Sequence, residues 1–183
     1  MGDAAVEASA FRWWITAMSD MTAALSQLRA SDRRRAFAAI DDTVWGVTIV
    51  DAAMVRDHIG VYDEVLAAQV PAERRAIEET LAGLRFVRNR IGRGAEFREF
   101  VEPDRPGEGK ASVTGWTWKS APRPALASLP PRARAWETKR YQAYQTQLAG
   151  HTIGEIFERV AAFLNMIAAE ATSVPDDSGH PAR

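Results

Sequence analysis

The chain has 183 residues, of which 46% are hydrophobic and 26% are charged, and it contains no cysteine. The missing cysteines exclude a disulfide-stapled mini-protein and a cysteine-ligated zinc or iron–sulfur centre, and the apolar fraction argues against a disordered chain. Its 23 basic and 24 acidic residues give a net charge of −1, which argues against adhesion of the whole surface to nucleic acid.

Apolar residues recur at three- and four-residue steps along most of the chain, which predicts an all-α bundle of four or five helices. The expected helical regions are 3–30, 32–69, 71–91, 131–149 and 152–171. In the second region two apolar stripes predict a mostly buried helix that a break near Gly60 would divide, although the β-branched Thr43–Val50 leaves a strand as the alternative. Pro71 should begin the third helix and Gly92 should end it.

Residues 95–130 form a Pro/Gly-rich excursion from the predicted helices. Five of the nine prolines lie between residues 103 and 130, and Ser112–Lys119 alternates like a short strand or hairpin. We expect one domain over 1–172, with this excursion inside it, and a disordered tail over 173–183.

The sequence lacks the patterns of several common classes of protein. Its beginning does not resemble a signal peptide, and no run of 18 apolar residues predicts a membrane span, so we expect a cytoplasmic chain. Three scattered histidines without cysteine predict no metal site. Without a phosphate-binding loop or a dinucleotide fingerprint, we also expect no cofactor.

The end of the third helix carries a polar motif. Arg88 and Asn89 stand at its last turn, and Arg93 follows four residues later. This arrangement resembles the motif of HEPN domains, in which Arg and a polar residue are followed, after a few residues, by His. The residues from Arg85 to Trp118 also resemble uncharacterised actinobacterial proteins that share the Arg-Asn-Arg, Phe-Val-Glu-Pro and Trp-x-Trp-Lys segments.

The HEPN resemblance implies a helical bundle, often dimeric, and in many members a metal-independent ribonuclease of toxin–antitoxin or defence systems. In that family the Arg grips phosphate and the His assists transfer from the ribose 2′-hydroxyl. Here Arg93 stands where the His would be, and a guanidinium cannot exchange a proton near neutral pH. The resemblance therefore implies a non-catalytic protein that binds RNA or a nucleotide phosphate.

Charge is segregated along the chain in spite of the neutral total. Residues 84–98 are net +4 and residues 119–140 are net +5, whereas residues 31–72 and 141–183 are each net −3. If the two basic segments are adjacent, they form an anion-binding surface. Its candidate residues are Arg85, Arg88, Asn89 and Arg93, with Trp116 and Trp118 as stacking rings. In the alternative, the arginines pair with acidic residues of the second helix and the tryptophans close the core.

Asp51 lies on an otherwise apolar stripe of the second helical region, so its burial would demand a cationic partner. Counting outward from the turn at Pro71 places it opposite Arg88, which predicts an Asp51–Arg88 salt bridge. His58 shares the stripe. These residues with Arg85 would form a polar pocket, or, in the alternative, a core ion pair beside a satisfied histidine.

Two further functions remain open at the level of sequence. The first is a helical interaction or scaffold protein, homodimeric or bound to another protein, with no ligand chemistry. The second is an active ribonuclease in which His58 or His151 replaces the missing histidine of the motif.

Overall fold

Six α-helices make up most of the described part of this computed structural model, which covers residues 3–26, 33–93, 95–103 and 115–173. The helices are α1 Asp3–Ser26, α2 Arg33–Asp57, α3 Ile59–Ala68, α4 Pro71–Ile91, α5 Pro131–Gln147 and α6 Ile153–Ser173. The mostly helical fold is therefore confirmed. The predicted tail after Ser173 lies outside the described residues, as does the middle of the excursion, 104–114.

Local sequence signals set several of the helix ends. Pro71 is the first residue of α4, and Gly92 caps its carboxyl end, where its N–H donates to the carbonyl of Arg88 at 2.9 Å. Before α6, Thr152 and Glu155 exchange side-chain to backbone hydrogen bonds of 3.2 Å in both directions. The ends of α4 confirm the predicted proline and glycine signals, and Thr152 with Glu155 forms a capping box.

The predicted second helical region is two helices, so the expected count of four or five was too low. His58 separates α2 from α3, with φ −134° and ψ 38°, two residues before the predicted break at Gly60. The Thr43–Val50 segment is helical, which excludes the strand alternative. The hydroxyl of Thr48 donates to the carbonyl of Val44 at 2.9 Å, so the helix itself satisfies this buried polar group.

A small antiparallel sheet pairs β1 (Val101–Pro103) with β2 (Trp116–Trp118), and Val101 lies opposite Trp118. Residues 116–118 of the predicted Ser112–Lys119 segment form β2, and its partner β1 lies earlier in the same excursion, so the strand is confirmed in part. Trp116 and Trp118 are two residues apart and therefore share one face of the strand. Both side chains are fully buried.

Helices α4 and α5 run antiparallel at close range. Near one end of the pair, Gln147 donates to Glu79 at 2.8 Å. A Cβ on Gly83 would lie 3.1 Å from the Cα of Tyr144 and closer still to the Leu148 side chain, so glycine permits this approach. The close packing brings the amino end of α5 beside the carboxyl end of α4, where the predicted motif lies.

Buried side chains from the six helices and both strands belong to one hydrophobic cluster. Aromatic rings fill its centre, where Tyr144 donates to the carbonyl of Lys119 at 2.5 Å. Burial raises the pKa of the Tyr144 hydroxyl. None of the helices that the structure describes is long and apolar enough to cross a membrane.

Candidate anion-binding site

Asp51 is fully buried on α2 and has two partners from neighbouring helices. The Tyr62 hydroxyl of α3 donates to its Oδ1 at 2.9 Å, and the Arg85 guanidinium of α4 pairs with its Oδ2. Burial first, and then the Asp51 charge, raise the pKa of the Tyr62 hydroxyl. Both carboxylate oxygens therefore accept a hydrogen bond, as a buried charge requires.

The predicted Asp51–Arg88 salt bridge is wrong by one helical turn, because Asp51 pairs with Arg85 instead. The count from Pro71 took no account of the irregular residue His58 between α2 and α3, which lies two residues before the predicted break at Gly60. His58 lies two turns beyond Asp51 and lines neither of the two clefts described below. The structure therefore brings Asp51 and Arg85 together with Tyr62, which the sequence argument had not considered.

Arg88 lies one turn beyond Arg85 and packs on an aromatic ring of α2. Its guanidinium carbon is 5.6 Å from the centroid of the Trp45 ring, within the range of a cation–π contact. Burial, followed by the charges of Arg140 and Arg85, lowers the pKa of Arg88. No carboxylate of the described residues forms an ion pair with Arg88, although the charge of Asp51 partly offsets the effect of the neighbouring arginines on its pKa.

A second buried carboxylate, Glu137 of α5, faces the last turn of α4. Its Oε1 accepts hydrogen bonds from Asn89 Nδ2 at 2.9 Å and from Arg140 Nη1 at 3.0 Å. Its Oε2 lies 3.9 Å from Arg93 Nη1 and accepts no hydrogen bond from any described residue. Glu137 is only 3% exposed, so this oxygen is an unsatisfied buried acceptor.

These contacts define an arginine cluster, the name used below for four guanidiniums and their two carboxylates. Its members are Arg85, Arg88, Arg93 and Arg140 with Asp51 and Glu137. The formal charge of the cluster is therefore +2. Planar guanidiniums bind phosphate and carboxylate oxygens in a fork, so an excess of them is typical of an anion site.

Two clefts open beside the cluster. The smaller one, about 380 Å³, is lined by Asn89, Arg93 and Glu137 among others. The larger one, about 790 Å³, lies between α3, α4 and α5 and has Arg85 in its wall. Trp136 and Arg140 line both clefts. Arg88 lines neither cleft, since it turns toward Trp45 on α2.

The prediction that Trp116 and Trp118 act as stacking rings is wrong. Trp116 and Trp118 are fully buried in the core, so neither ring is open to a nucleic-acid base. Trp136 of α5, by contrast, is 52% exposed beside the cluster. The basic charge of residues 119–140 was the one sequence signal that pointed to this region, because that segment contains Trp136, Glu137 and Arg140.

Comparisons with known proteins give no match: no family model, no curated protein and no solved structure is similar to this chain at a significant level. The HEPN resemblance therefore stays a prediction. Within the described ranges, His, Asp and Glu side chains form no group that could hold a metal ion.

Proposed function

We propose that the chain is a HEPN-like helical bundle that binds RNA or a phosphorylated ligand at the arginine cluster, without ribonuclease activity. One observation carries this proposal: three guanidiniums pair with two carboxylates, and the half-buried fourth, that of Arg88, forms no ion pair among the described residues. A phosphate would supply the missing negative charge in a partly desolvated setting, where charge-assisted hydrogen bonds are strong.

The proposed role of the motif residues is binding rather than proton transfer. Guanidiniums remain protonated at neutral pH, so Arg88 and Arg93 can hold a phosphate but cannot act as a general base. This role agrees with the phosphate grip that the HEPN resemblance implies for Arg88. The bacterial stress or defence setting rests on that resemblance alone.

Binding of a labelled single-stranded RNA of about eight nucleotides, followed by fluorescence anisotropy, tests the proposal. We expect Kd to rise with salt, and Arg88→Ala and Arg93→Ala each to weaken binding about fivefold or more. Each lost phosphate contact should reduce the slope of log Kd against log salt by about 0.7.

Arg34→Ala is the matched control, because it removes the same charge from an exposed position at the start of α2. Arg34 lies 17 residues before Asp51, which is about 26 Å along the helix axis. Equal losses in Arg34→Ala and Arg88→Ala would mean that binding follows net charge only. That result, or no binding at low salt, would overturn the proposal.

The second candidate function is a helical interaction protein that forms a homodimer. Exposed apolar side chains on α1 and α2, namely Trp13, Trp45 and Ile49, favour it. Sedimentation velocity across a wide concentration range should then show a dimer that Ile49→Glu dissociates. A chain that remains monomeric at every concentration would exclude this candidate.

A further inference from the structure

Trp136 of α5 lines both clefts, and half of its surface is exposed to solvent. Tryptophan carries a large apolar ring, and its exposure beside a cleft is typical of a contact surface for a ligand. None of the ring–ring or cation–ring contacts found among the described residues involves Trp136. The exposed part of this ring is therefore not already stacked on an aromatic ring or a cation of the described residues.

Two guanidiniums and one carboxylate, Glu137, line the smaller cleft with this ring. Arg140 lies one turn further along α5, and Arg93 reaches the same cleft from the turn after α4. An exposed ring beside guanidiniums combines the two interactions that hold an unpaired nucleotide, namely stacking of the base and pairing with the phosphate. The cleft volumes, about 380 and 790 Å³, fall in the range of small-ligand sites.

The Oε2 atom of Glu137, which accepts no hydrogen bond from the described residues, indicates that the ligand also carries a hydrogen-bond donor. A fully ionised inorganic phosphate offers only acceptors to this carboxylate, so it would leave Oε2 without a donor. A nucleotide brings N–H groups on its base together with a phosphate. Arg93, which is 51% exposed and only 3.9 Å from Oε2, could turn toward that phosphate and leave Oε2 to the base.

We propose that Trp136 is the stacking platform for a nucleobase whose phosphate is held by Arg93 and Arg140, so that the ligand of the arginine cluster is a nucleoside phosphate. The ligand is either a free nucleotide or an unpaired residue of single-stranded RNA. This inference rests on the proposed function, because it places the base of a ligand whose phosphate the cluster binds.

Isothermal titration with adenosine monophosphate and with ribose 5-phosphate tests the inference, since the two differ only in the base. For the wild-type protein we expect the nucleotide to bind about tenfold more tightly. Trp136→Ala should reduce the affinity for the nucleotide to that for ribose 5-phosphate, while Trp136→Phe keeps most of the difference because it retains a ring.

The control is Trp13→Ala, which removes an exposed indole from α1 and should change neither affinity. Equal affinities of the wild-type protein for both compounds would overturn the stacking inference and leave the phosphate proposal intact. If neither compound nor the single-stranded RNA binds, both fail. If Trp136→Phe discriminates no better than Trp136→Ala, a ring at this position is not the platform.

The same titration with a short single-stranded adenosine oligonucleotide and its duplex distinguishes the two sources of the ligand. Binding to the single strand much tighter than to the monophosphate identifies RNA, and equal affinity per nucleotide identifies the free nucleotide. Preference for the duplex would overturn the inference, because paired bases cannot stack on an external ring.

Discussion

Asp51 and Glu137 are both buried carboxylates that pair with arginines of the same cluster, but their environments differ. Asp51 has a donor for each oxygen, from Tyr62 and Arg85. Glu137 binds Asn89 and Arg140 through one oxygen, and its other oxygen has only the distant Arg93. A fully paired charge acts as a structural tie between helices, whereas an incompletely paired one beside an open cleft is available to a ligand.

This contrast gives the arginine cluster an inner and an outer part. The inner part joins α2, α3 and α4 through Asp51, and its loss should cost stability. The outer part joins α4 and α5 around Glu137, and its loss should change binding more than stability. Three substitutions test that division, and a fourth, at Asp41 outside the cluster, follows them; they are given from the largest expected effect to the smallest.

Asp51→Ala should lower the free energy of unfolding by about 3 kcal/mol, because it leaves Arg85 and the Tyr62 hydroxyl without their common partner. Because Arg85 is partly exposed, we expect a loss at the lower end of the range for removing one partner of a buried ion pair. Urea denaturation measures it, with the exposed Glu64→Ala of α3 as control. A loss no larger than that of the control would show that the inner part is not a structural tie.

Tyr62→Phe should lower the free energy of unfolding by about 1.5 kcal/mol. It removes one hydrogen bond to a charged acceptor and retains the ring packing against Phe163. Combined with Asp51→Ala, its effect should shrink toward zero in a double-mutant cycle. Strict additivity of the two substitutions would contradict a shared contact.

Glu137→Gln should lower the free energy of unfolding by only about 1 kcal/mol. Its partner Arg140 is partly exposed, and the amide oxygen can still accept a hydrogen bond from Asn89. The substitution raises the formal charge of the cluster by one. Affinity for inorganic pyrophosphate at low salt should therefore increase several-fold, by titration calorimetry. Weaker pyrophosphate binding would place the anion away from the outer part.

Asp41→Asn should change the free energy of unfolding least of the four substitutions, and it should raise this free energy where the others lower it. Burial and the neighbouring Asp42 raise the pKa of Asp41, although its carboxylate accepts a hydrogen bond from Trp45. A raised pKa means that the ionised form is penalised in the folded state, so the neutral variant should be more stable at pH 7. Asp41 is partly exposed and solvent screens its charge, so we expect a gain of less than about 1 kcal/mol.

The pH dependence checks the sign of this effect. The gain from Asp41→Asn should vanish as the pH falls through the raised pKa of Asp41 toward pH 3, where wild-type Asp41 is also protonated. Thermal unfolding of both proteins at several pH values measures it. A stability difference between the two proteins that does not change with pH would mean that ionised Asp41 does not destabilise the folded state.

The sequence predicted the features of the fold that depend on local chemistry. Pro71, Gly92 and the Thr152–Glu155 capping box act within one helical turn, so each end could be inferred from its neighbours alone. The features that depend on tertiary packing were missed. Asp51 pairs with Arg85 and not with Arg88, because the count from Pro71 did not include the irregular residue His58 between α2 and α3.

The candidate site shows the same division between local and long-range information. The sequence identified Arg85, Arg88 and Asn89 from one short segment of α4. It could not assign Glu137 as their neighbour, because that contact depends on the close approach of α5 at Gly83. Likewise, exposure of Trp136 and burial of Trp118 follow from where α5 and β2 pack, not from residue type.

The most direct test of the arginine cluster follows the Nε–Hε resonances of its arginines by NMR while pyrophosphate is added. Our account predicts saturable shifts for Arg88, Arg93 and Arg140, while Arg34, at the exposed start of α2, remains unchanged. Shifts of equal size in Arg34 and Arg88, or no shift in the cluster at saturating pyrophosphate, would contradict the claim that this cluster is a specific anion site.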